Sequence, residues 1–134
     1  MSEIEKKKIL VFGNPNVDSD NIALKVADQL QKTNGHGFTF EIVESPEGIE
    51  KFGKRLLIMD SVQGLDRVEL LHGLNKIRLA PRITTHDFDL AFNLKLLEKT
   101  KKIEKISIIA VPQDYGLQDA VFGVEALLKK IRIK

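Results

Sequence analysis

The chain has 134 residues, the size of one domain, and its 21 basic and 19 acidic residues leave a formal net charge of +2. A charge so nearly balanced argues against a nucleic-acid groove. The absence of cysteine excludes a disulfide, a thiolate nucleophile and a cysteine metal ligand. No apolar run approaches the roughly 20 residues that span a bilayer, and MSEIEKKK lacks a signal peptide's apolar core.

We therefore expect one cytoplasmic domain over residues 1–134, without nucleic-acid or membrane partners. At its start, Lys7–Phe12 is a short apolar run closed by Gly-Asn-Pro, which predicts a buried strand. Apolar residues then recur at helical spacing from Ile22 to Leu30 and predict a helix. Phe38–Val43 alternates like a strand with one wet face, and Arg55–Asp60 predicts a buried strand that ends on its acid.

The middle of the chain, residues 61–87, shows less regular patterns. Residues 61–75 have no clean period and predict an irregular connection, while Lys76–Ala80 predicts a short edge strand. Thr84 and Asp87 have the spacing of an acidic variant of the capping box, so a helix should begin beside His86.

The last third of the chain predicts a strand and a helix. Lys105–Val111 is the most β-branched run and predicts a central strand, and apolar residues from Leu117 to Ile131 keep a helical rhythm. Apolar strands interleaved with amphipathic helices predict an α/β fold. We expect a three-layer α/β/α sandwich, with a mostly parallel, twisted sheet of about five strands and helices on both faces.

Three potential metal ligands can reach one rim of this sheet. Ligands bind outside the carboxyl ends of parallel strands, where Asp20 follows the first strand, Asp60 ends the third and His86 precedes a helix. Two carboxylates and an imidazole suit zinc, nickel or ferrous iron and leave positions for water or substrate. Each residue also fits a structural role: a helix first turn for Asp20 and His86, and a cap of a neighbour for Asp60.

Other residues and templates point to less specific roles. His36 and His72 are interpreted as solvated loop residues, and Tyr115 and Phe122 as packing residues. The sequence has no GxGxxG turn, P-loop, GxSxG elbow or HExxH helix. A phosphoacceptor receiver domain is a rival because an aspartate ends its third strand, but Val111-Pro112-Gln113 lacks the lysine that follows the last strand of receivers.

Four segments together resemble the hydrogenase maturation endopeptidases, and most closely the hydrogenase 3 type. In chain order they are ILVFGNPNVDSDNIALKVADQL, RLLIMDSVQGL, ITTHDFDLAFNLKLLE and SIIAVPQDYGLQDAVFGVEALLKKI. They cover nearly the whole chain, and the TTH segment and the GNP turn are the most specific parts. Members of this family process the large subunit of nickel-iron hydrogenases as monomers.

The resemblance implies a function for the three rim residues. The family's metal ligands match Asp20, Asp60 and His86, which would contact the nickel carried by the substrate or another divalent ion. The implied reaction removes the C-terminal extension of a large-subunit precursor after nickel insertion, with the ion polarising the scissile carbonyl and activating water. Residues 61–75 and 112–116 would guide the precursor tail.

The chain also departs from the family pattern. Ser19 stands where the first acid of the family's acidic pair is expected, and Asn21 and Ala23 stand where glycines are expected. Asparagine tolerates the left-handed conformation better than most residues, so the turn can survive. Two alternatives follow: a catalytically degenerate member that binds the nickel-loaded precursor without cleaving it, and a receiver-like signalling domain.

Overall fold

The architecture is that of a computed structural model, which describes residues 7–13, 21–33, 37–43, 49–62, 64–72, 99, 101 and 103–133. Within these ranges, five strands form one sheet and two α-helices pack against it. The elements in chain order are β1 (Lys7–Val11), α1 (Ile22–Lys32), β2 (Phe38–Ile42), a 3-10 turn (Ile49–Phe52), β3 (Arg55–Val62), β4 (Glu69–His72), β5 (Lys105–Pro112) and α2 (Leu117–Ile133). The strand predicted over Lys76–Ala80 and the helix predicted beside His86 lie outside the described residues.

The sheet has the strand order β2-β1-β3-β5-β4. Neighbouring strands are parallel except at β4, which pairs antiparallel with β5. The register pairs Val11 of β1 with Met59 of β3, and Asp60 of β3 with Ala110 of β5. The predicted α/β fold with a mostly parallel sheet of five strands is therefore confirmed, and β5 is an interior strand.

Both faces of the sheet are buried, which explains why β1, β3 and β5 are almost wholly apolar. The first face carries α1 and α2, whose apolar stripes pack on Ile9, Met59 and Ile109. The second face holds a separate cluster, whose buried members are Leu10, Phe12, Ile49, Leu56, Ile58, Ile103, Ile106 and Ile108. Both described helices lie on the first face, and the helix expected on the second face falls outside the described ranges.

Two predictions about the third strand and its successor are wrong. β3 continues for two residues past Asp60, because Ser61 and Val62 pair with Val111 and Pro112 of β5. Part of the predicted irregular connection is β4, a four-residue antiparallel edge strand. A strand this short contains too few side chains for a recognisable alternation in the sequence.

No helix within the described ranges is long and apolar enough to cross a bilayer.

Two isoleucines test the assignment of the core. Ile109 is fully buried beneath the helices, whereas Ile42 at the end of the edge strand β2 is 59% exposed. Ile109→Ala should lower the free energy of unfolding by about 2–5 kcal/mol, because it leaves a cavity in a packed face. Ile42→Ala should lower it by less than about 1 kcal/mol. Urea denaturation followed by circular dichroism measures both, and equal losses would contradict the packing described here.

Candidate functional site at the carboxyl end of β3

Asp60 is a buried carboxylate near the carboxyl end of β3. Asp60 is 2% exposed, and the two residues that precede it in the strand, Ile58 and Met59, are apolar core residues. Side chains alternate along a strand, so Asp60 lies on the second face of the sheet, as Ile58 does. An acid at this position replaces what would otherwise be another apolar core residue.

The local backbone stabilises this carboxylate. The Ser61 N–H donates a hydrogen bond to Asp60 Oδ1 at 2.9 Å, and Ser61 is itself fully buried. This hydrogen bond fixes the orientation of one oxygen of the carboxyl group. Burying a carboxylate costs several kcal/mol before such compensation, which makes Asp60 a candidate for a functional rather than a structural role.

The first strand ends beside Asp60. The Phe12 N–H donates to the Met59 carbonyl at 2.9 Å, so pairing of the first and third strands extends to the residue level with Asp60. The chain then passes Gly13 and enters the described ranges again at Asn21, which precedes α1. Asp20 lies outside those ranges and directly precedes Asn21 in the sequence.

Asn21 shows how the start of α1 accommodates the loss of the expected glycine. It is buried, its φ is −119°, and its carbonyl accepts a hydrogen bond from the Lys25 N–H at 3.1 Å. This backbone is not left-handed, so asparagine adopts it without the strain that a positive φ would impose. The replacement of glycine by Asn21 therefore leaves α1 with a regular first turn.

The three-ligand site remains a prediction. His86, like Asp20, lies outside the described residues, and within them no group of three potential metal ligands occurs. Asp60 alone is seen, and it has the carboxylate chemistry and the sheet-end position that the site requires. The role of Asp60 as a metal ligand, like that of Asp20 and His86, therefore stays a prediction.

His72 is excluded from this site by its position. It is exposed, as expected, but it lies in β4 rather than in a loop, and its Nδ1 is 3.1 Å from Ser107 Oγ. Ser107 precedes Ala110, the register partner of Asp60, by three residues, or about 10 Å along the strand. His36 lies outside the described residues.

The aromatic residues near the rim differ from each other. Tyr115 is half-buried and packs against the core as predicted, but the prediction for Phe122 is wrong, because its side chain is 76% exposed. Phe122 borders a groove of about 440 Å³ between α2 and the connection from β3 to β4. The helical pattern offered the signal, since the apolar stripe through Ala120, Val121 and Val124 leaves Phe122 outside it.

Solved structures with the same architecture were found by comparison. This chain is similar to the hydrogenase maturating endopeptidase HybD from E. coli, with a TM-score of 0.60 and 15% identity. The match covers 93% of this chain and 93% of HybD. The hydrogenase 3 maturation protease matches with a TM-score of 0.60 and 20% identity, covering 95% of this chain and 90% of that one. For the [NiFe] hydrogenase maturation protease HycI from Thermococcus kodakarensis KOD1 the TM-score is 0.58 and the identity 14%, over 95% and 93% of the two chains.

Neither a scan against protein-family models nor a search of curated proteins gave a match. At identities of 14–20%, the likeness to the solved structures is one of fold. It extends over more than nine-tenths of this chain. The chain therefore has the fold of the hydrogenase maturation proteases.

Proposed function

We propose that the protein is a metal-dependent hydrogenase maturation endopeptidase, which removes the C-terminal extension of a nickel-iron hydrogenase large-subunit precursor after nickel insertion. The observation that carries the proposal is the buried carboxylate of Asp60, near the carboxyl end of β3 and beside the end of β1. In open parallel sheets this is where ligands bind. The fold shared with hydrogenase maturation proteases supports this choice of reaction.

Asp60 has the central role in the proposed site, with Asp20 and His86 as the other two ligands. An ionised carboxylate only accepts hydrogen bonds or binds cations, and the Ser61 N–H orients one of its two oxygens. When bound, a divalent ion would supply Lewis-acid activation of the scissile carbonyl and of water. The nickel of the precursor is part of the substrate, so these three residues would read whether the metal has been inserted before the tail is cut.

The partner in this proposal is the large-subunit precursor, and the protein would act on it as a monomer in the cytoplasm. The cysteine-free sequence suits that reducing compartment.

A binding protein without cleavage is the second candidate, and Ser19 favours it. The resemblance places a carboxylate at this position, where it could orient a ligand or polarise water. Serine carries no negative charge for either role. Such a protein would still hold the nickel-loaded precursor through Asp60. No observation favours the receiver-like alternative, because the turn after β5 carries Gln113 and Asp114 rather than a lysine.

Metal binding should depend on the three proposed ligands and not on similar residues elsewhere. Titration of the purified protein with Zn²⁺ or Ni²⁺ in a calorimeter should show one site. Asp60→Asn, which keeps an oxygen acceptor for the Ser61 N–H, should weaken binding at least about 10- to 100-fold, as loss of even a ligand's supporting group does. Asp20→Ala and His86→Ala should weaken it similarly.

Asp114→Asn and His72→Ala are matched controls, because both remove the same chemistry from exposed positions. They should bind the ion as the wild type does. If folded Asp60→Asn binds it with unchanged affinity, the metal assignment is wrong.

Cleavage of a precursor tests the reaction itself. Incubation of the protein with a nickel-loaded large-subunit precursor from the same organism should release a short C-terminal peptide, seen by mass spectrometry. Asp60→Asn should lower the cleavage rate at least about 100-fold, since the carboxylate that holds the ion is lost.

An intact tail in a stable complex would favour the binding protein instead. In that case Ser19→Asp, which restores the family's first acid, should introduce cleavage. Failure of both the wild type and Ser19→Asp to bind the precursor at all would contradict both candidates.

A further inference from the structure

The groove beside α2 is a second feature of the molecule. It lies on the face of the sheet opposite Asp60, and the proposed chemistry does not use it. We call it the α2 groove. Its volume is about 440 Å³, within the range of ligand pockets in proteins. Its principal lining residues are Arg67, Val68, Tyr115, Phe122, Gly123 and Lys130.

The groove is built from elements that hold one another in place. The Tyr115 hydroxyl donates to the Asp66 carbonyl at 2.6 Å and so joins the turn after β5 to the connection after β3. A Cβ atom added at Gly123 would lie 2.8 Å from Val68 Cγ2, so the helix packs this closely only because residue 123 has no side chain. The concave shape is therefore preformed.

An aromatic side chain borders this preformed groove and faces solvent. Phe122 is 76% exposed, and Ile42, on the opposite edge strand of the sheet, is the other large apolar side chain so exposed among the described residues. A single exposed apolar residue is ordinary. Phe122 differs because it adjoins a concavity, the arrangement in which an aromatic anchor gains most from a partner.

Charge identifies the chemistry of that partner. Arg67 and Lys130 line the groove, and within the described part of the chain neither forms an ion pair. Asp119 is the one carboxylate in the lining, so the groove has a net positive charge. It thus suits a segment that carries an apolar side chain close to a carboxylate.

The size of the groove favours a peptide over a second copy of this chain. Nine residues line it, whereas a stable protein–protein interface uses roughly 20–30 residues on each side. Chain length bounds the distance from the groove to Asp60, which lies on the opposite face of the sheet. Ala110, the register partner of Asp60, is about 5 Å from it, and Tyr115 follows five residues later, so Tyr115 lies within roughly 23 Å of Asp60. About seven extended residues span that distance.

We propose that the α2 groove binds part of the C-terminal extension of the precursor, with an apolar side chain against Phe122 and a carboxylate between Arg67 and Lys130. This inference rests on the proposed function, because it takes the occupant to be the tail that is cut at the Asp60 site. The groove would then select the substrate, and Asp60 would contribute to the reaction.

The probe is a fluorescently labelled synthetic peptide with the sequence of the precursor's C-terminal extension, followed by anisotropy. Phe122→Asp should weaken its binding by about tenfold, the effect of losing one modest anchor. Ile42→Asp is the matched control, since it introduces the same charge at the other exposed apolar position and should leave binding unchanged. Arg67→Glu should weaken binding of the peptide and strengthen that of a variant peptide whose acid is replaced by lysine.

Cleavage kinetics separate this proposal from the proposed function. With precursor as substrate, Phe122→Asp should raise KM about tenfold with little change in kcat, whereas Asp60→Asn should lower kcat. Peptide binding through Phe122 without any cleavage by the wild type would overturn the endopeptidase function and support the groove. Unchanged KM and unchanged peptide affinity in Phe122→Asp would overturn the proposed role of the groove and leave the endopeptidase function intact. A wild-type dimer that Phe122→Asp dissociates would do the same, because the groove would then bind a second copy of this chain.

Discussion

The structure depends on the position of β3, which pairs with β1 on one side and with β5 on the other while apolar clusters cover both faces of the sheet. A side chain on this strand cannot reach bulk water except near the strand's ends. The strand is accordingly apolar from Leu56 to Met59. Asp60 breaks the pattern at the carboxyl end, where the backbone of Ser61 supplies a hydrogen bond to its carboxylate. The proposed chemistry depends on this buried carboxyl group at the edge where parallel sheets bind ligands.

The proposed selectivity depends on the connections that follow β3 and β5. A hydrogen bond from Tyr115 joins the turn after β5 to the connection after β3. The helix α2 packs closely against that connection because Gly123 has no side chain. These contacts do not involve Asp60, but they are made by segments that follow β3 and β5, the strands that contain the register pair Asp60 and Ala110. The proposed reaction site and the proposed recognition groove can therefore vary separately in sequence, while one sheet fixes the distance between them.

Much of this fold is predictable from the sequence, because burial on two faces makes β1, β3 and β5 into apolar runs and helix packing gives α1 and α2 their periodicity. β4 is not predictable in this way, since its pairing with β5 is non-local and its four residues show no period. The interior position of Asp60 also depends on pairing, through Ser61 and Val62. Of the candidate site, the sequence identifies Asp60 as an acid of the third strand. The exposure of Phe122 depends on which side of α2 packs against the first face of the sheet.

The central claim is that Asp60 is a metal ligand, and a crystal grown with Zn²⁺ or Ni²⁺ and measured at the metal's absorption edge tests it most directly. We expect an anomalous peak about 2.0–2.2 Å from an oxygen of Asp60, with Asp20 and His86 as its other protein ligands. A peak elsewhere, with the Asp60 carboxylate bound only to protein groups, would show that Asp60 is not a metal ligand.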